Sequence, residues 1–354
     1  MSLLTNVNSK QKALLYDLSL SSFAILIALI IGALVIAVMG ENPLEVYQSL
    51  LTGSLGSTRD VANTISKTLP LLFTGLAVAI GFRSGVFNIG AEGQLTIAGM
   101  FSILVALCLP NLSPFIALPI IFIAGILSGA FLGAISGYFK SKFLISEVIV
   151  GIMLNYIVKH FTSYLVNGPL KAPGTVAQTE MIRDSYRLVK LFPRTQLTTA
   201  LIIAILTVVV LYIILWKTNF GFKIRAVGSN KTAAEAAGIN TKLMMVIAMA
   251  MSGGVAALAG ITEVLGKQYR FIEGFSPSFG FTGIAVAVLG KNNPVGVVLS
   301  ALLFGIMDTG ALRMSRETSV SSSIIVVIQS LVILFVSAPT IIKWISMRKR
   351  GAKE

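Results

Sequence analysis

The 354-residue chain has one cysteine, Cys108, and one histidine, His160. A single cysteine excludes an internal disulfide and a cysteine-rich metal site, and Cys108, lying in an apolar run, reads as a small buried hydrophobe. A single histidine leaves no material for a His-built zinc centre or a Ser-His-Asp triad. Charge is scarce too: 12% of residues carry it and 55% are apolar, whereas soluble domains average about 25% charged. No Gly-x4-Gly-Lys-Ser/Thr loop occurs, so the chain does not itself cradle a nucleotide that way. The charge present is lopsided, 28 Lys+Arg against 14 Asp+Glu, a net +14. In so apolar a chain it marks loops and membrane ends, because no soluble stretch is large enough for a nucleic-acid reader.

What the chain has in abundance is long apolar runs, such as 23–39, 201–216 and 324–336. A membrane span takes about 20 such residues. The pattern predicts an all-α polytopic membrane protein with about ten spans, forming a single domain over 1–354. The spans fall near 18–39, 62–82, 92–109, 115–138, 143–165, 196–216, 242–263, 279–290, 295–311 and 323–343. The first run follows Lys10 and Lys12, is long for a signal-peptide core and lacks an A-x-A site, so it reads as an uncleaved span. Residues 41–60 read as an external segment with a short amphipathic helix. With ten spans both termini are cytoplasmic, in keeping with the tail residues Lys343, Arg348, Lys349, Arg350 and Lys353. The segment 279–290 is too short to cross alone, so 279–311 also reads as a broken, re-entrant pair. Loop 167–195 is external in this topology. Its five basic and two acidic residues make it either a solvated connection or a docking surface.

Two glycine-rich breaks, 81–94 and 274–283, each separate two spans about half a chain apart. Spans five apart have opposite orientation, so a 5+5 inverted repeat is expected, and interrupted segments in matching positions point to a transport site. The first break sets Asn88, Glu92 and Gln94 among apolar residues; Phe279 stands in the second. Asn88 and Glu92 read either as caps of a helix starting near Gly90 or as lining of a substrate path. Asn155-Tyr156, inside the fifth span, suits a planar hydrogen-bonding ligand, or equally a helix–helix hydrogen bond. Glu147, Lys159, His160, Glu263 and Asp308 are the other ionisable groups of the spans, mostly near span ends.

Between spans six and seven, segment 217–241 holds a second pattern. Ser229 or Asn230 suits an N-cap, 231–237 a short helix and Gly238 a stop. The helix carries small residues, Ala233, Ala234, Ala236 and Ala237, that permit close approach to a groove. Lys231 and Glu235, four apart, are spaced for a weak pair.

The runs 87–94 (Phe-Asn-Ile-Gly-Ala-Glu-Gly-Gln), 147–156, 225–239 and 280–296 resemble, in order, the bacterial nucleoside-type ABC importer permeases. That family also serves ribose, other simple sugars and branched-chain amino acids. The resemblance implies a non-enzymatic transmembrane subunit of an ATP-driven nucleoside importer in the bacterial plasma membrane. A simple-sugar importer of the same kind is the nearest alternative, and an ion-coupled secondary transporter a more distant one. The implied partners are a second permease, a cytoplasmic ATPase that carries ATP and magnesium, and an extracytoplasmic binding lipoprotein. No cofactor is implied for this chain. The implied substrate pathway is Asn88, Glu92, Gln94, Asn155, Tyr156 and Phe279. The implied ATPase contact is Arg225, Gly228, Asn230, Ala233, Ala234, Glu235, Ala237 and Gly238.

Overall fold

A computed structural model describes residues 26–335; the expected start of the first span, the end of the last and both charged termini lie outside it. The described elements are helices α1 (Leu26–Val38), α2 (Pro43–Leu55), α3 (Thr58–Arg83), α4 (Ala91–Cys108), α5 (Pro114–Phe143) and α6 (Glu147–Asn167). They continue with α7 (Ala200–Lys217), α8 (Asn219–Ser229), α9 (Lys231–Ala236), α10 (Thr241–Glu263), α11 (Phe279–Leu289), α12 (Pro294–Glu317) and α13 (Ser323–Phe335). Seven of these are long and apolar enough to cross a membrane. An eighth crossing is counted if α1 and α2, bent by 119°, are taken as one broken span. The expected count of ten thus reduces to seven or eight among the described residues. α11, with 11 residues, extends about 16 Å at the helical rise and falls well short of the bilayer core.

The chain divides into two compact units, one from the described residues before Val61 and after Gly305, the other from Val61 to Gly305. In the first, Asn42 caps α2 and Pro43 opens it, so the chain folds back sharply. Tyr47 then donates its hydroxyl to the Leu29 carbonyl at 2.7 Å. Gln329 donates to Asp308 at 2.8 Å, which explains how one intramembrane acid is held.

In the second unit, α5 and α10 pack backbone to backbone. Gly125, Gly129, Gly133 and Gly137 repeat every four residues and form the buried stripe of α5. A β-carbon at Gly133 would strike the Met249 carbonyl, and one at Gly253 the Gly129 carbonyl. With no hydrophobic drive between helices in lipid, such close approach supplies the association. The opposite face of α5 exposes Ile123, Leu127 and Phe131, as a lipid-facing helix does. α10 passes into a π-turn at Val264–Gln268, where Lys267 pairs with Glu263 at 2.7 Å and donates to the Ser66 carbonyl at 3.2 Å.

The long loop after α6 is pinned along part of its length. Thr179 and Ile182 donate backbone bonds to Phe271 and Tyr269, both at 2.9 Å, and buried Tyr186 donates its hydroxyl to the Pro110 carbonyl at 2.6 Å. Arg187 pairs with Asp184 at 2.7 Å and lies 4.5 Å from the Tyr269 ring centroid. Cys108 is exposed rather than buried, because it is the last residue of α4, where the helix stops ahead of Pro110.

Candidate functional site

Two helices of the larger unit begin inside it, at the same place, and run apart. Within the larger unit α3 passes Gln196 and Lys267 in its early turns (Ser66 donates to the Gln196 carbonyl at 2.9 Å) and ends at Arg83. The chain then turns at Gly85, whose φ of +76° favours glycine, and re-enters the unit through 86–89. α4 runs from there back to Pro110 and Tyr186, toward the end where α3 began. α11 runs the other way, to the turn at 291–292 that Arg83 holds through the Asn292 carbonyl (2.9 Å) and the Lys291 carbonyl (3.2 Å). Their N-termini meet at Glu92. Its Oε2 accepts the Gly280 amide at 2.7 Å, and Ser276 hydrogen-bonds the same carboxylate. Gly280 has no β-carbon because one would collide with the Ala91–Glu92 backbone.

A backbone that leaves helical geometry inside a membrane needs partners for its freed groups. Asn155 of α6 supplies two: its Oδ1 accepts the Gly93 amide at 2.8 Å, and its Nδ2 donates to the Ile89 carbonyl at 3.1 Å. Glu147, paired with Lys140 at 2.8 Å, accepts the Phe87 amide at 3.2 Å. So Glu92 caps α11 rather than its own helix, whose first turn is capped from α6.

Asn88 and Gln94 sit behind this point, 0% and 1% exposed. Asn88 donates to Gln94 Oε1 (2.8 Å) and Ser252 Oγ (2.7 Å), and Gln94 returns a bond to Asn88 Oδ1 (3.1 Å). Ser252 in turn donates to the Ala77 carbonyl. This amide pair ties the break to α3 and α10.

A cavity of about 520 Å³ opens beside the meeting point, within the range of small-molecule sites. Glu92, Asn155 and Tyr156 line it together. Asn88 and Gln94 do not, and neither does Phe279, which opens α11 and accepts Thr74 Oγ1 at 3.0 Å. The wall also contains Lys159, Thr162, Phe275, Glu273 and Phe281, residues that sequence reasoning did not assign to a site. The α6 part had a legible signal: Ile152, Asn155, Tyr156, Lys159 and Thr162 share one helix face by spacing. Glu273 and Phe275 come from the irregular segment before α11, where no period exists. Hydrogen bonds from Ser163 and Asn167 hold the Glu273 carboxyl below the usual carboxylate range.

At the far end of this unit, Asn230 closes α8 and caps α9, accepting the Ala233 amide at 3.0 Å. Gly238 (φ +78°) ends α9, with its amide on the Glu235 carbonyl and the Ile239 amide on the Ala234 carbonyl, a Schellman stop. Arg225 and Gly228 therefore belong to the preceding helix. Ala234 turns inward and packs with Val86, Val227, Met244, Met245 and Met249, so the exposed face is Ala233, Glu235, Ala236 and Ala237. Glu235 accepts from Thr241 Oγ1 at 2.5 Å, and no ion pair joins it to Lys231 among the described residues. Gly228 lies on Gly85: a β-carbon at Gly228 would strike the Arg83 carbonyl and the Gly85 amide.

The family model described as "Branched-chain amino acid transport system / permease component" matches residues 61–337. The guanosine ABC transporter permease protein NupP of Bacillus subtilis is 36% identical, covering 93% of this chain and 96% of the relative. The nucleoside ABC transporter permease protein NupB of Lactococcus lactis is 33% identical, covering 98% and 97%. The glucose ABC transporter permease protein TsgB13 of Haloferax volcanii is 32% identical, covering 88% and 84%.

Proposed function

Because the chain belongs to the family of permease components of branched-chain amino acid transport systems, we propose that it is the membrane-spanning subunit of an ATP-driven nucleoside importer. The observation that carries this reading is similarity, over nearly whole lengths, to permeases named for guanosine and for nucleosides. The cavity fits it chemically. Tyr156, Phe275 and Phe281 offer faces for a flat base, and Glu92 and Glu273 offer acceptors for ribose hydroxyls. One lysine against two carboxylates suits an uncharged ligand better than a phosphorylated one.

In this reading ATP and magnesium are bound and turned over on a cytoplasmic ATPase subunit, which seats on the exposed face of α9. Movement of α9 reaches the cavity by a continuous route. Ala234 and Val227 pack on Val86, Gly228 bears on Gly85, and the re-entrant 86–90 leads to the caps at Asn155 and Glu92. The topology we propose adds the shorter α11 and α13 to the eight crossings counted above, giving ten in a 5+5 inverted repeat. The meeting of α4 and α11, in matching positions and opposite directions, supports that symmetry. Both termini are then cytoplasmic, and loop 167–195 faces a binding lipoprotein outside the bacterial plasma membrane. A second, different permease completes the pathway.

Simple-sugar import is the second reading, favoured by the similarity to the glucose permease of Haloferax volcanii. An ion-coupled transporter, which needs no ATPase, has no support in the names of these relatives. Uptake of labelled guanosine, adenosine and uridine, with excess ribose or glucose as competitor, in a strain deleted for this chain, decides between the two. Loss of nucleoside uptake, insensitive to sugar, is expected; intact nucleoside uptake with lost sugar uptake refutes the proposal.

A further inference from the structure

Where α7 ends and α8 begins, two guanidinium groups close on one indole. The Arg83 guanidinium carbon lies 5.2 Å from the Trp216 ring centroid and that of Arg225 5.8 Å. Trp216 is itself stacked on Tyr212, with centroids 5.8 Å apart and planes 8° from parallel. Arg83 uses two of its nitrogens on the Asn292 and Lys291 carbonyls. Arg225 has a buried Nε with no partner. Among the described residues neither arginine forms an ion pair. Segment 217–231 adds Lys217, Lys223 and Lys231 with no acidic residue. Like charges this close repel, and a site that gathers them without a carboxylate is complementary to an anion.

The helix that delivers Trp216 says which anion. α7 exposes Ile202, Leu206, Val209 and Ile213 along its length, a surface for acyl chains, and it ends in Tyr212, Trp216 and Lys217. Stacked aromatics followed by basic residues mark the depth of lipid headgroups. We propose that Arg83 and Arg225, beside Trp216, bind the phosphate of an anionic phospholipid whose chains lie along α7. The planar forks of arginine match phosphate oxygens bidentately, a fit that lysine lacks. The bound phosphate offsets the repulsion between the two guanidinium groups. Arg225, expected from sequence to face the ATPase, then serves the membrane instead. The assignment does not depend on which substrate the chain carries.

The test uses the full chain in detergent, in a Trp344→Phe background that leaves Trp216 as the single tryptophan of the two in the sequence. Phosphatidylglycerol brominated in its acyl chains is titrated as a quencher of Trp216 fluorescence, against brominated phosphatidylcholine. Phosphatidylglycerol is expected to quench at lower mole fraction. Arg225→Gln should reduce that preference about fivefold, the ratio expected for one basic residue at an anionic surface. Arg225→Lys, which disturbs the fold least, should retain part of it. Inorganic phosphate should compete poorly, because it lacks the chains that α7 holds. Equal quenching by both lipids in the parent protein overturns the proposal, as does full displacement by inorganic phosphate. An Arg225→Gln variant that keeps the lipid preference but loses its ATPase subunit assigns the arginine to that partner and overturns it as well.

Discussion

Replacing Asn155 by leucine changes little volume and removes two hydrogen bonds. The amide of Gly93 and the carbonyl of Ile89 lose their partner together, at 2.8 and 3.1 Å respectively. An unsatisfied buried polar group costs about 1–3 kcal/mol. Interhelical hydrogen bonds in membrane proteins average nearer 0.6 kcal/mol, because the opened state finds other partners. Taking both scales, the pair contributes about 2 kcal/mol to holding the break closed. That corresponds to about a thirty-fold rise in its opening. The effect is local, since the apolar runs that insert the spans are untouched. Hydrogen exchange at the Gly93 amide reads it directly and should quicken by about that factor. Uptake, normalised to membrane abundance, should fall while abundance holds. Asn155→Asp keeps the acceptor for Gly93, beside a helix N-terminus that favours negative charge, and loses the donor to Ile89. It should fall between parent and leucine variant. If Asn155→Leu exchanges Gly93 at the parent rate and transports normally, the capping role of Asn155 is wrong.

Gly228→Ala drives a methyl into the Arg83 carbonyl, an overpacking of about 1–3 kcal/mol; the ATPase subunit should still co-purify while uptake drops, and unchanged uptake refutes the route through Gly85. Ala234→Pro removes the amide that bonds the Asn230 carbonyl at 3.0 Å and should break α9 at a cost of about 3 kcal/mol or more. That variant should insert normally yet lose the ATPase on gentle solubilisation; retained co-purification and uptake disprove the coupling role. Gly133→Leu forces α5 off α10 and should abolish stable expression, whereas Leu127→Ala, on the exposed face, should barely move the melting temperature; equal effects would contradict the packing described. Acidification should act on Glu273: its folded-state carboxyl titrates below the unfolded value of about 4.3, so its contribution is present above that pH and fades as pH falls through the lower folded value. Proteolysis within 269–278 should therefore be unchanged at neutral pH and rise only in strong acid, an effect that Glu273→Gln abolishes; a rise already near pH 6 counts against these hydrogen bonds.

The spans were legible because lipid leaves few options: an apolar run of sufficient length must be a helix, and α3 to α7, α10 and α12 fall where the runs are. The short helix after Asn230 was legible for a different reason, as cap, helix formers and glycine stop agree locally. Neither signal reaches tertiary structure. The glycine stripe of α5 is periodic, but its meaning depends on α10 lying against it. Asn88 and Glu92 carried the same sequence signal, a polar residue in a glycine-rich break. One is sealed in an amide pair and the other stands at a cavity, because what separates them is which element packs opposite. Ala234 shows the same limit within six residues: alanines at 233 and 234 are alike in composition, yet only the second faces Val86.

The meeting of α4 and α11 accounts for the chemistry of its caps. Each helix N-terminus carries about half a positive charge, so two that converge present about one unit to the same small volume. A single carboxylate offsets that, and Glu92 is placed between them. An acid at position 155 would keep only the acceptor for Gly93, whereas an amide satisfies both the Gly93 donor and the Ile89 acceptor. Lys159 and Glu273 both line the cavity, so the remaining charges also offset one another. A cavity with so little net field neither repels nor traps a neutral polar solute. A phosphate group would upset that balance, meeting two carboxylates and one lysine. The meeting of two helix ends thus favours a carboxylate at residue 92, where an apolar side chain would leave the Gly280 amide without its acceptor.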